Sequence, residues 1–307
     1  MNNSPLVSIV IPVYNGSDYL AEAIDSALAQ TYDNIEVMVI NDGSKDNGAT
    51  RNIALGYGDR IRYFEKENGG VASALNHGLR EMKGEYFSWL SHDDVYYENK
   101  IEKQINDLII YGYPYVLYSD YEIINEYGKN EEFKILPVIE SSQFRYWLAS
   151  EVLLHGCTLL IPRKCFDKAG YFDEDLITTQ DYTLWNKFLD YYQFRKTRHV
   201  LVKSRRHKSQ TSNRMQTKVI EECNVLQKNF FDSLIKDKFH IGNRESLKKL
   251  VIKNLERGYF KSSLYAFKKM YGFESSFISK IKFLIQFLFI LIIRFTYSKI
   301  SILFISH

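Results

Sequence analysis

Apolar and polar residues alternate in blocks along the N-terminal third of the chain, and these blocks predict strands and helices in turn. Runs rich in β-branched residues at 6–15 and 34–44 end in turn residues, which is typical of strands buried on both faces. Between them, apolar residues recur at helical spacing over 20–28, and we expect Ser17 or Asp18 to be the N-cap. The pattern predicts a β-α-β unit.

The same alternation predicts a helix at 46–57, a strand at 61–66, a helix at 68–82 and a strand at 85–94. Strands that alternate with helices of this length form a mainly parallel sheet with right-handed crossovers. Ligands bind such sheets at the carboxyl ends of the strands. We therefore expect one edge of the sheet to carry the segments PVYN, NDGS and SHDD.

The pattern becomes less regular after residue 100 and helical beyond Met215. We expect an α/β domain at 1–212, with two halves that meet near residue 100. A helical extension at 213–307 follows, and its last part, about 278–307, is apolar with interspersed basic residues.

The C-terminal apolar run is too short to cross a bilayer. Phe283–Ile293 is 11 residues long, whereas a spanning helix needs about 20. A longer span would place Arg294 and Lys299 in the hydrocarbon, which is costly. The pattern favours a helix that lies on a membrane surface, with burial against the protein and a full span as alternatives.

Composition is that of an ordinary globular protein: 45% of the 307 residues are hydrophobic and 25% are charged. The three cysteines form no CxxC pair, so neither a disulfide framework nor a metal-thiolate site is indicated. The N-terminus has no basic leader before its apolar run, and we expect a cytoplasmic protein.

The net charge of +3 conceals a strong asymmetry. Residues 1–194 contain 16 Lys or Arg against 30 Asp or Glu, and residues 195–307 contain 24 against 7. The basic C-terminal part suits anionic phosphate groups, of nucleic acid or of lipid headgroups. The terminal apolar run favours lipid, so no nucleic acid is expected as a partner.

Two adjacent carboxylates, Asp93 and Asp94, follow an apolar strand. Their repulsion requires full solvation or a neighbouring positive group. Carboxylates are preferred ligands of Mg²⁺ and Mn²⁺, so a metal ion is one candidate. The alternative is an aspartate N-cap for the helix that follows.

Asp42 also ends a buried strand, where a carboxylate can accept hydrogen bonds from a base or a ribose. Tyr14 and Asn15, at the end of the first strand, could stack on the same base and hydrogen-bond to it. The alternative for Asp42 is a turn residue before the next helix.

Together these stretches resemble the family 2 glycosyltransferases. The similarity runs from about Val7 to Ser212 and rests on VSIVIPVYNGSDYLAEAIDSALAQTY, IEVMVINDGSKD, ENGGVASALNHGL, WLSHDDVYY and QDYTLWNKF, in that order. The resemblance implies a GT-A fold, inversion of configuration and nucleotide-diphosphate-sugar donors. It also makes about 1–100 the nucleotide-binding half and about 101–212 the acceptor half.

The resemblance implies the following nucleotide-binding residues: Pro12, Tyr14, Asn15, Asp42, Asn68, Asn76, Ser91 and His92. Asp93 corresponds to the metal-binding acid of the family's Asp-x-Asp motif, and His207 lies where relatives have a histidine near the diphosphate. Two departures stand out, because Ser91 replaces the first acid of the motif and Leu75 replaces an arginine found in many relatives.

Asp181 matches the acid of the family's Glu-Asp motif, which implies that it is the general base; Gln180 replaces the glutamate. The alternative for Asp181 is a helix N-cap. Asp94, Gly156, Gln180 and Arg205 are expected to line the acceptor site or support these groups.

The resemblance therefore implies a metal-dependent hexosyltransferase that uses Mn²⁺ or Mg²⁺. It implies a donor that is a uridine-diphosphate sugar and an acceptor that is a glycan or a lipid-linked oligosaccharide. With the basic tail, this suggests synthesis of a bacterial surface polysaccharide, such as a capsule or O-antigen, at the inner face of the membrane. The alternatives are a non-catalytic nucleotide-sugar-binding assembly subunit and a nucleotidyltransferase.

Overall fold

The computed structural model describes residues 4–112, 114–151, 153–207, 216–239, 243–273 and 277–305. The chain divides into two compact units. The first contains 1–144 and 153–214, and the second contains 145–152 and 215–307. The domain boundary predicted at residue 212 lies outside the described residues.

The first unit is built on a five-stranded sheet with the strand order β3-β2-β1-β4-β8. Its strands are β1 (Val7–Val13), β2 (Ile35–Asn41), β3 (Arg62–Glu65), β4 (Tyr86–Trp89) and β8 (Ile161–Pro162). The first four are parallel, and β8 pairs antiparallel with β4. Every residue of β1 is buried, as its apolar run predicts for a central strand.

The crossover helices are α1 (Leu20–Leu28), α2 (Ala49–Leu55) and α3 (Gly70–Glu81). The helix α3 packs closely on β1 because Gly78 has no side chain: a Cβ there would lie 2.4 Å from Val10 Cγ1. The predicted N-cap of α1 is wrong. Tyr19 takes that position, since a backbone turn in which Gly16 O accepts from Tyr19 N and Leu20 N leads into the helix.

A second, four-stranded sheet has the order β5-β9-β6-β7. Its strands are β5 (Val95–Tyr96), β6 (Tyr115–Ile124), β7 (Asn130–Lys134) and β9 (Gln193–Arg205). β6 and β9 are parallel, and a buried ion pair between Asp120 and Lys196 (2.7 Å) joins them. The long strand β9 is rich in Lys and Arg, and its C-terminal end leads to His207.

The remaining helices of the first unit are α4 (Lys100–Tyr111), α6 (Lys164–Ala169) and α7 (Gln180–Phe188), with a 3₁₀ turn at Gly156–Thr158; α5 (Ser141–Glu151) ends in the second unit. The second unit also contains α8 (Gln216–Lys236), α9 (Arg244–Glu256), α10 (Phe260–Phe273) and α11 (Phe277–Ile305). A mainly parallel sheet flanked by helices, followed by a helical C-terminal region, is thus confirmed.

The helix α11 has two different faces. Phe283 and Phe287 are buried, and their rings lie 4.8 and 4.3 Å from the ring of Phe267 in α10. Other apolar side chains of α11 are exposed: Ile278, Ile281, Ile285, Leu288, Phe289 and Ile292. Among the helices of the described ranges, none combines the length and the apolar character that crossing a membrane requires.

Candidate active site

The loops after β1 and β2 are joined through Asn15, which has a left-handed backbone (φ 49°). Asn15 N donates to Ser44 Oγ at 2.9 Å, and Asn15 Oδ1 accepts from Lys45 N at 2.7 Å. Tyr14 is 43% exposed beside this junction, whereas Pro12 is buried within β1. The PVYN and NDGS segments therefore meet at one edge of the sheet.

Asp42 connects that edge to the start of α3. Its buried carboxylate accepts from Lys66 Nζ at 2.7 Å, from Gly69 N at 3.1 Å and from Gly70 N at 2.7 Å. Its backbone oxygen accepts from Asn68 Nδ2 at 2.9 Å. The carboxylate thus stabilises the positive N-terminus of a helix.

A cleft of about 650 Å³ opens beside Asp42. It is lined by Gly43, Lys45, Glu65, Lys66, Glu67 and Asn68. Two of these residues are lysines, so the cleft offers positive charge as well as carboxylates at the carboxyl end of β2. The lysines are balanced by Glu65 and Glu67, so this composition suits a polar small molecule.

Asn76 is buried and holds a neighbouring loop. Its Nδ2 donates to Phe172 O at 2.9 Å and to Glu174 Oε1 at 2.8 Å, while its Oδ1 accepts from Phe172 N at 3.0 Å. The amide group is therefore used within the protein. The adjacent Leu75 is fully buried in the core.

Asp93 lies in the turn after β4, and its Oδ2 is 2.9 Å from His207 Nε2. Burial alone would raise the pKa of Asp93, but the charge of His92 and the hydrogen bond with His207 lower it below its usual range. The His92 ring packs on the backbone of Gly16, where a Cβ would lie 2.3 Å from it. Asp93 is thus kept ionised beside two histidines.

Asp94 has the opposite environment, with only 3% of its surface exposed. Its Oδ1 accepts from Arg205 N at 2.9 Å, and the Cys157 thiol also donates to its carboxylate. Burial, and then the charge of Asp93, raise the pKa of Asp94 well above its usual range. The pKa values of the two neighbouring acids are therefore shifted in opposite directions.

Asp94, His155 and Cys157 form a cluster whose ligand atoms all lie within 4.8 Å of one another. Burial lowers the pKa of His155 to about 4 and raises the pKa of the Cys157 thiol. A sulfur ligand favours softer ions than Mg²⁺ or Mn²⁺, and Asp94 already accepts two hydrogen bonds. The carboxylate oxygens of Asp93 fit those two ions better than a thiol does.

The sequence does not indicate this cluster, because His155 and Cys157 show no metal-ligand spacing and only the fold brings them to Asp94. Cys157 also reaches the turn after β4, since its Sγ lies 3.3 Å from both the N and the Oγ of Ser91. Ser91, which replaces the first acid of the Asp-x-Asp motif, thus contacts a thiol.

Arg205 is a buried cation that joins three segments, with its side chain 2% exposed. Its guanidinium donates to Asp93 O at 2.9 Å and to Glu22 Oε2 at 2.5 Å, and it lies 4.4 Å from the centre of the Tyr19 ring. It also donates to the carbonyl oxygen of Glu126 at 3.4 Å. Arg205 therefore holds the turn that carries Asp93.

Tyr19 and Glu22 were not predicted as site residues. Tyr19 also packs against His207, with ring centres 5.4 Å apart. Both residues lie in or just before α1, directly after the PVYN segment, which is the one signal in the sequence that could have identified them.

Asp181 lies in the first turn of α7, where its Oδ1 accepts from Tyr182 N at 2.7 Å. Burial raises the pKa of Asp181 to about 6. The neighbouring Gln180 is buried, and its Oε1 has no hydrogen-bond partner among the described residues. A carboxylate with this pKa can accept a proton near neutral pH.

The first turn of α7 is linked to the segment before the 3₁₀ turn. Tyr182 Oη accepts from Leu154 N at 2.9 Å and lies 3.1 Å from Leu154 O. Gly156, two residues further on, packs on the Trp89 ring, where a Cβ would lie 2.6 Å from Cε3. No contact between Asp181 and Asp93 or His207 appears among the described residues.

The chain matches a family model described as glycosyl transferase family 2 over residues 8–170. Its fold is similar to crystal structures of S. aureus TarS 1–349 in complex with UDP (TM-score 0.52, 16% identity) and with UDP-GlcNAc (TM-score 0.55, 17% identity). Each similarity covers 82% of this chain and 82% of the TarS chain. The GT-A fold expected from the sequence is thereby confirmed.

Relatives in Rickettsia are described as uncharacterized glycosyltransferases. The Rickettsia felis protein is 52% identical over 238 residues, which are 76% of this chain but 39% of that protein. The Rickettsia typhi protein is 46% identical over 299 residues, which are 90% of each chain. The chain thus spans less than half of one relative and most of the other.

Replacing Arg205 tests the arrangement of the buried cation. Arg205→Met removes the guanidinium, so Glu22 and the carbonyl groups lose their donor. We expect the free energy of unfolding to fall by about 2 kcal/mol, because the carbonyl oxygens of Asp93 and Glu126 lose their donor, whereas the half-exposed Glu22 can be hydrated. Urea denaturation measures this change. The matched control is Arg206→Met, at the exposed neighbouring residue, which should change the free energy of unfolding by less than about 0.5 kcal/mol. Equal losses of stability in the two variants would contradict the arrangement.

Proposed function

The chain belongs to glycosyl transferase family 2, and from this premise we propose that it moves a sugar from a uridine-diphosphate sugar to a hydroxyl group of a glycan or lipid-linked glycan. The observation that carries the proposal is the ionised Asp93 beside His207 at the carboxyl end of β4. This is the edge of a parallel sheet where ligands bind.

Asp93 and His207 would hold the Mn²⁺ or Mg²⁺ ion of the donor complex. Such an ion supplies positive charge that neutralises the leaving diphosphate. Asp93 suits the role because its pKa is lowered and its carboxylate stays ionised. Asp94 is engaged by Arg205 and Cys157 and instead supports the turn.

The base and ribose of the donor would lie near Tyr14, Asn15 and Asp42, beside the cleft at the end of β2. The position of this cleft supports binding of a nucleotide, and the UDP and UDP-GlcNAc complexes of the structurally similar TarS support a uridine donor. The exposed ring of Tyr14 would provide a stacking surface for the base, and Asp42, whose carboxylate is buried against Lys66 and the start of α3, would hold the loop beside it.

Asp181 would take the proton from the acceptor hydroxyl as its oxygen attacks the anomeric carbon. One displacement inverts the configuration, and no carboxylate is needed as a covalent nucleophile. The pKa of about 6 allows Asp181 to be ionised at neutral pH while remaining a stronger base than an exposed aspartate. The Oε1 of Gln180, which has no hydrogen-bond partner among the described residues, would accept a hydrogen bond from the sugar acceptor next to this base.

We also propose that α11 lies on a membrane surface, where lipid-linked acceptors would be found. Its exposed apolar face recurs at helical spacing from Ile278 to Ile292. Residues 257–307 contain eight Lys or Arg and one acid, Glu274. Apolar side chains that insert, and cations at headgroup level, suit an anionic leaflet. Synthesis of a bacterial surface polysaccharide fits this placement.

Donor turnover tests the proposal directly. With Mn²⁺ and a panel of nucleotide sugars, we expect one uridine-diphosphate sugar to be turned over, with release of UDP. EDTA should abolish it, and Asp93→Ala should slow it by about 10²-fold or more, because the charge on the diphosphate is no longer neutralised. Ile110→Ala, at an exposed residue of α4, is the control. Binding of donors without turnover would favour the non-catalytic subunit.

The pH profile tests the role of Asp181. Below its pKa of about 6 the base is protonated, so kcat/KM should fall about tenfold per pH unit as the pH drops from 6. Above pH 7 kcat/KM should no longer depend on the ionisation of Asp181. The variant Asp181→Asn should lose most of its activity, and its remaining kcat/KM should no longer fall as the pH drops below 6. A wild-type profile that is flat from pH 5 to 7 would contradict the assignment.

Vesicle sedimentation tests the membrane surface. The protein should bind vesicles that contain phosphatidylglycerol more strongly than neutral phosphatidylcholine vesicles, and added salt should weaken the binding. Ile285→Asp with Phe289→Asp should reduce binding about tenfold or more, because both exposed side chains would otherwise insert. Val225→Asp, at an exposed apolar residue of α8, should leave binding unchanged. Equal binding by all variants would contradict this placement.

A further inference from the structure

Two buried polar side chains of α4, Lys100 and Gln104, reach two segments near the site. Both residues are fully buried. Lys100 Nζ donates to Ser88 Oγ at 3.0 Å, to Gln104 Oε1 at 2.9 Å and to Leu159 O at 3.4 Å. Gln104 Nε2 donates to Thr158 O at 2.8 Å. Three acceptors thus surround the ammonium group, which has three N–H donors.

The groups that accept these bonds lie in two different segments. Ser88 belongs to β4, the strand that ends in the turn carrying Asp93. Thr158 ends the 3₁₀ turn and Leu159 follows it. The same turn contains Cys157, which contacts Ser91. The pair on α4 therefore ties the 3₁₀ turn to the strand and the turn that carry Asp93.

A buried ammonium group is costly, and burial lowers the pKa of Lys100 to about 7. Its only aromatic contact among the described residues is the Tyr96 ring, 4.3 Å away. Hydrophobic side chains of similar volume often replace buried charges without loss of stability. Packing alone therefore does not explain a lysine here, whereas its fixed hydrogen bonds to two separate segments do.

We infer that Lys100 and Gln104 are positioning residues, which fix the 3₁₀ turn Gly156–Thr158 relative to the turn that carries Asp93. We call this pair the α4 clamp. Its consequence for catalysis rests on the proposed function, because Gly156 is expected on the acceptor side and Asp93 on the donor side. The clamp would set the distance between the two substrates.

The thiol of Cys157 reports on the clamp without any substrate. Cys157 and Cys165 are both fully buried, but only Cys157 lies in the clamped turn. In Lys100→Met and in Gln104→Met, reaction of Cys157 with a disulfide reagent under native conditions should become at least about tenfold faster relative to Cys165, because the turn opens locally. Peptide mapping by mass spectrometry identifies the thiol that reacts.

The variant Leu108→Ala is the matched control, since Leu108 is buried on the same helix but makes no hydrogen bond to the turn. It should destabilise the unit and raise both thiol rates by the same factor. If Lys100→Met and Gln104→Met also raise both rates equally, or raise neither, the clamp is refuted.

Kinetics separate the clamp from the proposed function. In both clamp variants we expect the UDP dissociation constant, measured by calorimetry, to change by less than about twofold, and kcat for donor turnover to fall about tenfold or more. If the clamp variants keep the wild-type kcat although Cys157 reacts selectively faster in them, the clamp has no role in catalysis. Absence of UDP binding by the wild-type protein would refute the proposed function alone, because the thiol rates test the clamp directly.

Discussion

Repulsion between the adjacent carboxylates of Asp93 and Asp94 is the constraint around which the candidate site is organised. At Asp94 the repulsion is reduced by burial, which favours the neutral form, and the carboxyl group accepts hydrogen bonds from Arg205 N and Cys157. At Asp93 the charge of His92 and the hydrogen bond with His207 lower the pKa and so favour the ionised carboxylate. One of the two acids thus serves the structure, and the other carries its charge beside two histidines.

This division of roles depends on residues from distant parts of the chain. β9 runs parallel to β6, and its end places Arg205 against the turn after β4 and His207 against Asp93. The start of α1 then completes the environment of the guanidinium through Tyr19 and Glu22. Arg205, which the sequence led us to expect on the acceptor side or in a supporting role, is thus buried inside the protein.

Much of the fold could be predicted, because β1 to β4 and their helices follow clear hydrophobic patterns. β9 could not, since its polar and basic residues resemble a surface segment, although Phe194 and Val202 are buried in it. Acids at strand ends could be identified from their positions. The contacts of His155 and Cys157 could not, because no local pattern encodes contacts between residues about 60 positions apart in the chain.

If Asp93 and His207 hold the metal ion of a donor site, UDP binding should depend on Mn²⁺, and calorimetric titration of UDP with and without this ion measures that dependence. We expect Mn²⁺ to tighten UDP binding by about tenfold or more, because the ion neutralises the diphosphate, and we expect His207→Ala to remove this gain. Equal UDP affinity with and without Mn²⁺ in the wild-type protein would contradict it.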